Sequence, residues 1–315
     1  MNIRPKIAGG LVSLGLAASG HGHEVMDLEQ LTKTFGWDFA TAAIRTEKVS
    51  DRLHVLFGVG GNIAVSTGDN GVLVVDDQFP QILSKVQAAI GALGGGDIDF
   101  AINTHWHFDH AESNAALGAA GTWLVSQTNA REMMKNDHVV NLVIAKYGQK
   151  AYPEVAWPHI TYNERMQFHF NGETIDLVHA GPAHTTGDTA VIFRDSNAVH
   201  LGDVFNNSGY PFIDVDNGGD LTGVIGFCKA VLDEIDGNTV VIPGHGPIAT
   251  QETLVAYVAM LELLRGRILG MIREGKSLEE VLAAQPTRDF DEKQGDPAGF
   301  VNRAYTSLRL ELDRS

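Results

Sequence analysis

Thr104-His-Trp-His-Phe-Asp-His110 places three imidazoles and one carboxylate within six consecutive positions, 105–110. The run follows Phe100-Ala-Ile-Asn103, an apolar stretch that reads as a buried strand ending in a loop. Donor side chains crowded at a strand end repel one another or stay unsatisfied unless a cation collects them. This set suits a borderline divalent metal. His105 and His107, two residues apart, can reach one ion, and Asp109 and His110 can turn towards a second.

Matching donors recur downstream, each where a strand gives way to a loop. His184 lies in Gly181-Pro-Ala-His-Thr-Thr-Gly-Asp188 after an expected strand at 174–179. Asp203 lies in His200-Leu-Gly-Asp203 after one at 197–201, and His245 in Pro243-Gly-His-Gly-Pro247 after one at 239–242. Neighbouring glycines let the backbone turn tightly and approach a metal without a Cβ clash. Taken in order, the His-x-His-x-Asp-His run and these three later donors resemble the metallo-β-lactamase superfamily over roughly residues 50–250.

The resemblance implies an α/β fold, a four-layer αβ/βα sandwich with metals at the strand ends between two sheets. It implies two zinc ions per chain, one held by His105, His107 and His184, the other by Asp109, His110 and His245, with Asp203 bridging them. Iron or manganese is the alternative, because a carboxylate bridge also accepts harder ions. Asp109 gains a catalytic role, orienting the bridging hydroxide. Asp76, at the end of an expected strand at 72–75, matches a family aspartate that orients a ligand without touching metal.

With 315 residues and 44% hydrophobic content the chain can bury a large core. Its 39 acidic against 23 basic residues give a formal charge of −16, which repels phosphate backbones and argues against nucleic acid as partner. The lone Cys228 excludes an internal disulfide and a cysteine-rich zinc knuckle, and reads as a buried structural thiol. Arg4 and Lys6, the short apolar stretch 7–18 and Ala18-Ser-Gly20 read as a cleavable export signal over 1–20. A periplasmic or secreted protein is therefore expected. No stretch is long enough to span a bilayer stably. His21 and His23 read as solvated linker residues.

Strands are expected at 53–59, 62–66 and 72–75, with Gly68-Asp-Asn-Gly71 as a hairpin turn. Ile82, Val86, Ala89, Ile90 and Leu93 recur at helical spacing until Gly94-Gly-Gly96 stops the helix. Residues 128–165 read as an insertion, helical through Tyr147, in which Trp157 is weighed as a substrate wall against ordinary packing. The strand pattern repeats at 166–170, 174–179, 190–194 and 198–201, followed by a helix at 221–235 and the strand at 239–242.

A catalytic domain over 21–250 thus precedes a helical C-terminal extension, 251–315. Leu254, Val258, Leu261, Leu264, Ile268 and Met271 form its apolar stripe, and Ser277-Leu-Glu-Glu280 is a capping box. The extension is expected to pack on the domain, with dimerisation as the alternative, so the chain is read as monomer or homodimer. His169, His179 and His200 are read as structural. The loop 206–214 follows Asp203 directly and is expected to line a substrate pocket, with Asn206 and Tyr210 as candidate donors to a substrate carbonyl.

The expected reaction is attack of hydroxide on the carbonyl of a small molecule. β-Lactam opening is the first expectation, since export places the protein where such drugs act and a strained amide needs no strong acid for its leaving group. Asp203 counts against it. Zinc β-lactamases of the resembling family generally carry Cys or Ser there, whereas a bridging aspartate is usual in lactonases and glyoxalase II-like thioesterases, the alternative reading. A non-catalytic periplasmic metal-binding accessory protein is the reading from a different class.

Overall fold

A computed structural model describes residues 24–314. The expected export signal, with His21 and His23, lies outside the described residues. Two sheets face each other. The first has seven strands in the order Ile160–Tyr162, Trp123–Gln127, Ile98–Ile102, Gly71–Val75, Ile63–Gly68, Leu53–Phe57 and Arg45–Lys48. It is parallel from Ile160–Tyr162 as far as Gly71–Val75 and antiparallel beyond. The second has six, in the order Arg165–Phe170, Glu173–Val178, Ala190–Phe193, Ala198–His200, Val240–Ile242 and Ala249–Thr250.

The central strands are apolar on both faces, which is why they read as continuous runs rather than alternations. Along Gly71–Val75, Leu73 and Val75 point between the sheets, where they meet Ile102, Ile175, Leu177 and Phe193. Val72 and Val74 point outward onto Val86 and Ile90 of the helix Leu83–Ala92. On the far side, Ile192, Val199 and Val241 pack against Val224, Phe227 and Val231 of the helix Leu221–Leu232. The result is the expected helix–sheet–sheet–helix sandwich. Helices Gln251–Arg273 and Ala298–Arg314 join the same core through Leu254, Leu261, Leu264, Ile268, Phe300 and Leu308, and Ser277 and Glu280 form the expected capping box of the helix Leu278–Ala283 between them. Cys228 is buried there. Among the described residues no helix is long and apolar enough to cross a membrane.

The insertion departs from the expected helix. Its helix covers only Thr128–Met134, and His138–Asn141 then pairs antiparallel with Lys146–Gln149. Val139 and Val140 favour this, because β-branched side chains suit a pleated strand better than a helix. At the hairpin tip the Ile144 N–H donates to the Leu142 carbonyl at 2.8 Å and Val143 has φ of 68°. A β-branched residue at the centre of such a three-residue turn costs about 1–3 kcal/mol. The strand Val25–Met26 joins this hairpin, and the helix Leu28–Phe35 follows behind an Asp27/Gln30 capping box.

Candidate metal centre

Every expected ligand stands just beyond the carboxyl end of a strand. Ile98–Ile102 leads into His105 and His107, and His107 caps a short helix, Phe108–Ala111, that carries Asp109 and His110. The second sheet contributes His184 after Glu173–Val178, Asp203 after Ala198–His200 and His245 after Val240–Ile242. Their donor atoms form three groups, each within 4.8 Å: His105, His107 and His184; His105, His110 and Asp203; and Asp109, His110 and His245. Two glycines make this closeness possible. A Cβ on Gly61 would stand 2.1 Å from the His110 ring, and one on Gly244 would stand 2.0 Å from Asp203 Oδ1.

Hydrogen bonds behind the cluster fix which ring nitrogen faces inward. Asp76 is fully buried, and its carboxylate accepts the Thr104 N–H at 2.7 Å, the Thr104 hydroxyl at 2.8 Å and His110 Nδ1 at 2.7 Å. Thr104 Oγ1, its proton committed to Asp76, accepts from His105 Nδ1 at 3.0 Å. His107 Nε2 donates to Asp214 at 2.9 Å, and His184 Nδ1 donates to the Phe212 carbonyl at 2.8 Å. The lone pairs left over are Nε2 of His105, His110 and His184 and Nδ1 of His107, all turned into the cluster. Hydrogen bonds to the far nitrogen of an imidazole set its tautomer and its basicity towards a metal.

The donors fit a cation. His105 Nε2 and Asp203 Oδ1 are buried and make no hydrogen bond, although His110 Nε2 stands 3.1 Å from that oxygen. His107 Nδ1 faces His184 Nε2 at 2.9 Å, and His110 Nε2 faces His245 Nε2 at 3.3 Å. Pairs of nitrogen lone pairs at such distances repel unless a proton or metal lies between them. Burial disfavours charge on His245, but Asp203 and Asp109 outweigh it and raise that imidazole to about 10. The same contest holds His110 well above the ordinary imidazole range, through Asp203, Asp109 and Asp76. His105 goes the other way, pushed well below it by burial and by His110. Metal binding therefore has to displace protons from this cluster.

A cavity of about 210 Å³ opens onto the cluster. His107, Asp109, Asp203 and His245 form its floor; Phe35, Trp37, Phe108, Val140, Leu142 and Phe212 form its walls, with Asn206 and Tyr210. The polar atoms of the last two are already engaged. Asn206 bonds the Tyr210 carbonyl and Ser208, and the Tyr210 hydroxyl donates to Asp291 at 2.8 Å while its ring stacks on Phe300. The Tyr210 hydroxyl is thus committed and shapes the wall, whereas Asn206 Nδ2, with one N–H on the Tyr210 carbonyl, keeps a second N–H. Trp157 is not among the lining residues. It sits over a separate depression with Arg131, Glu154 and His159, its indole N–H bonded to the Tyr152 carbonyl. His200 is buried and bonds the Asn62 carbonyl at 2.9 Å, and His179 bonds the Asp188 carbonyl at 2.7 Å.

Sequence reasoning missed Asp214, Phe35 and Trp37. Asp214, gripped by Asn217 at 2.9 Å, carries no local signature, because its partner His107 is distant in sequence. Asp27-Leu-Glu-Gln30 was a legible capping box that places Phe35 at a helix end.

The sequence profile of the metallo-β-lactamase superfamily matches residues 58–245. A metallo-β-lactamase from Pontibacter korlensis superposes on 70% of this chain and 99% of its own length, with a TM-score of 0.56 and 15% identity. A stereoselective inverting sec-alkylsulfatase from Pseudomonas sp. superposes on 84% of this chain and 50% of its own, with a TM-score of 0.61 and 14% identity. Among curated proteins, the α subunit of 2,4-dinitroanisole O-demethylase from Nocardioides sp. (strain JS1661) is 23% identical over 207 residues, 64% of this chain. The chain spans 58% of that relative's length. At these identities the structural likeness is one of fold.

Proposed function

This chain belongs to the metallo-β-lactamase superfamily, and from that premise we propose a hydrolase that uses two zinc ions to cleave an ester, lactone, thioester or lactam. The observation that carries the reading is the placement of Asp203. Its Oδ1 lies 3.1 Å from His110 and 3.5 Å from His245, while its Oδ2 lies 3.8 Å from His184, so one carboxylate serves both donor groups.

Ions held there would supply a Lewis acid for the carbonyl oxygen and would bring the pKa of a water towards ~7. Asp109, a carboxylate that can only accept, would take a hydrogen bond from that water and aim it into the cavity. His105, His107 and His184 would hold one ion, and Asp109, His110 and His245 the other. Asp76 and Asp214 keep His110 and His107 turned inward. The aromatic walls exclude bulk water, which strengthens each of these interactions.

The test is metal analysis of the purified protein together with a chromogenic panel of β-lactam, lactone, ester and thioester, extended by a secondary alkyl sulfate and a nitroaryl methyl ether. Acyl hydrolysis removed by chelation and restored by zinc is expected. Activity confined to the sulfate or the ether, or none with both ions bound, would overturn the reading. Residues 1–20 support export to the periplasm, and mass spectrometry should find a mature chain that starts near His21; an intact Met1 on soluble cytoplasmic protein would refute this.

A further inference from the structure

The walls of the cavity carry a second message. Besides the four metal-cluster residues at its floor, no lining residue is ionisable at neutral pH, and none is Lys or Arg. Lys146, on the same hairpin as Val140 and Leu142, is not among the lining residues, and two further cations are paired elsewhere. Arg303 bonds Asp216 at 3.0 Å, and Lys33, on the helix that ends in Phe35, bonds Glu29 at 2.6 Å. A substrate carboxylate reaching beyond the metals would meet aromatic and aliphatic carbon, with no partner for its charge.

The apolar lining continues to the rim. Phe35 is 36% exposed and stacks on Trp37 with ring centroids 5.2 Å apart. Across the cavity, Leu142 belongs to the hairpin tip that also presents Ile144, 55% exposed. That tip is where Val143 takes its left-handed turn. Apolar side chains displayed on a strained, partly exposed turn beside a reactive cluster point to ligand contact, the direction in which an observed backbone outlier is read.

Resting on the hydrolase reading, we infer that the substrate is uncharged and carries an apolar acyl chain, gripped between Phe35 and Trp37 on one side and Val140 and Leu142 on the other. Substrates with a carboxylate on that chain are poor ligands for this cavity. Metals held in the cluster would engage only the carbonyl, and the clamp sets the class of molecule.

The experiment compares p-nitrophenyl pentanoate with the monoester of glutarate, which has the same chain length and a terminal carboxylate. The neutral ester should have a kcat/KM about 100-fold higher, the scale set by burying an unpaired charge. Leu142→Lys should shrink that ratio by about tenfold or more by supplying the missing partner. Phe35→Ser, at an exposed helix end, should lower kcat/KM for the pentanoate by a larger factor than for the acetate. A p-nitrophenyl alkyl ketone reads the clamp without turnover: it should quench tryptophan fluorescence in wild type and far less in Trp37→Phe, and an ω-carboxylated ketone should not compete. Equal turnover of the two esters would overturn this inference and leave the hydrolase reading standing. If no acyl substrate reacts, the hydrolase reading fails, and the ketones decide the clamp alone: equal binding of the neutral and charged forms would sink it.

Discussion

Replacing Asp76 by Asn isolates the group that aims one metal ligand. Asp76 has φ of 64°, a left-handed conformation that Asn adopts readily, so the substitution changes charge and donor pattern while leaving the backbone in place. The carboxylate accepts three hydrogen bonds. The amide oxygen can keep the Thr104 N–H, and the Thr104 hydroxyl can rotate to accept from the new NH₂. His110 Nδ1–H has no such escape and meets a donor. Losing one charge-assisted bond and stranding a buried donor costs about 1.5–3 kcal/mol. If the ring instead swaps tautomer, its Nε2 carries the proton and cannot ligate. Either route should weaken the ion held by Asp109, His110 and His245 by about 10–100-fold. The ion held by His105, His107 and His184 feels Asp76 only through Thr104 and should weaken much less. Competition against a chromophoric zinc chelator resolves the two steps. Unchanged affinity in both, or equal loss in both, would show that Asp76 does not act through His110.

At saturating zinc, Asp109→Asn should lower kcat by about 10²–10⁴-fold, the scale of a lost proton acceptor; near-normal turnover at full metal content removes the assigned role. Asp203→Cys should loosen the two ions and shift the kcat/KM ratio of a chromogenic lactam to an ester towards the lactam, and an unchanged ratio at equal zinc content would place selectivity in the walls alone. Asp77 is buried, and that burial, with Asp76 beside it, raises its pKa well above the carboxylate range. Such a group contributes its stability while protonated and loses it as pH rises through the folded value. Asp77→Asn should therefore gain on wild type as pH increases, by about 1–3 kcal/mol, read as urea midpoints at acid and at mildly alkaline pH; a constant difference across that range would refute the titration.

The cluster of donor side chains was legible because its residues mark themselves. Histidines and aspartates at strand ends beside glycines have few other reasons to recur, and the seven donors converge as their order implied. The sandwich was legible for a related reason, since strands buried on both faces, such as Gly71–Val75, announce themselves as unbroken apolar runs. The hairpin His138–Gln149 was not. Val139, Val140 and Tyr147 are the strand formers within its paired strands, Val143 and Ile144 blur where they end, and the tip Leu142-Val143-Ile144 lacks the Gly or Asn that usually marks a turn. Asn206 and Tyr210 were located by sequence but not oriented, because the bonds that occupy them reach across the fold to Asp291 and into their own loop. Trp157 shows the same limit: its position in the insertion was visible, and which depression it faces was not.

The donor groups are drawn from both halves of the sandwich: His105, His107, Asp109 and His110 from one sheet, His184, Asp203 and His245 from the other. An ion held by either group would thus rivet the halves together, making affinity for metal and resistance to prising the sheets apart one thermodynamic quantity. An ion present at 100 times its Kd adds about 2.7 kcal/mol to that seam. Mutations among the packed side chains between the sheets should register as altered metal retention even where no ligand is touched, and starvation for metal should loosen the whole sandwich from its open end rather than a single loop.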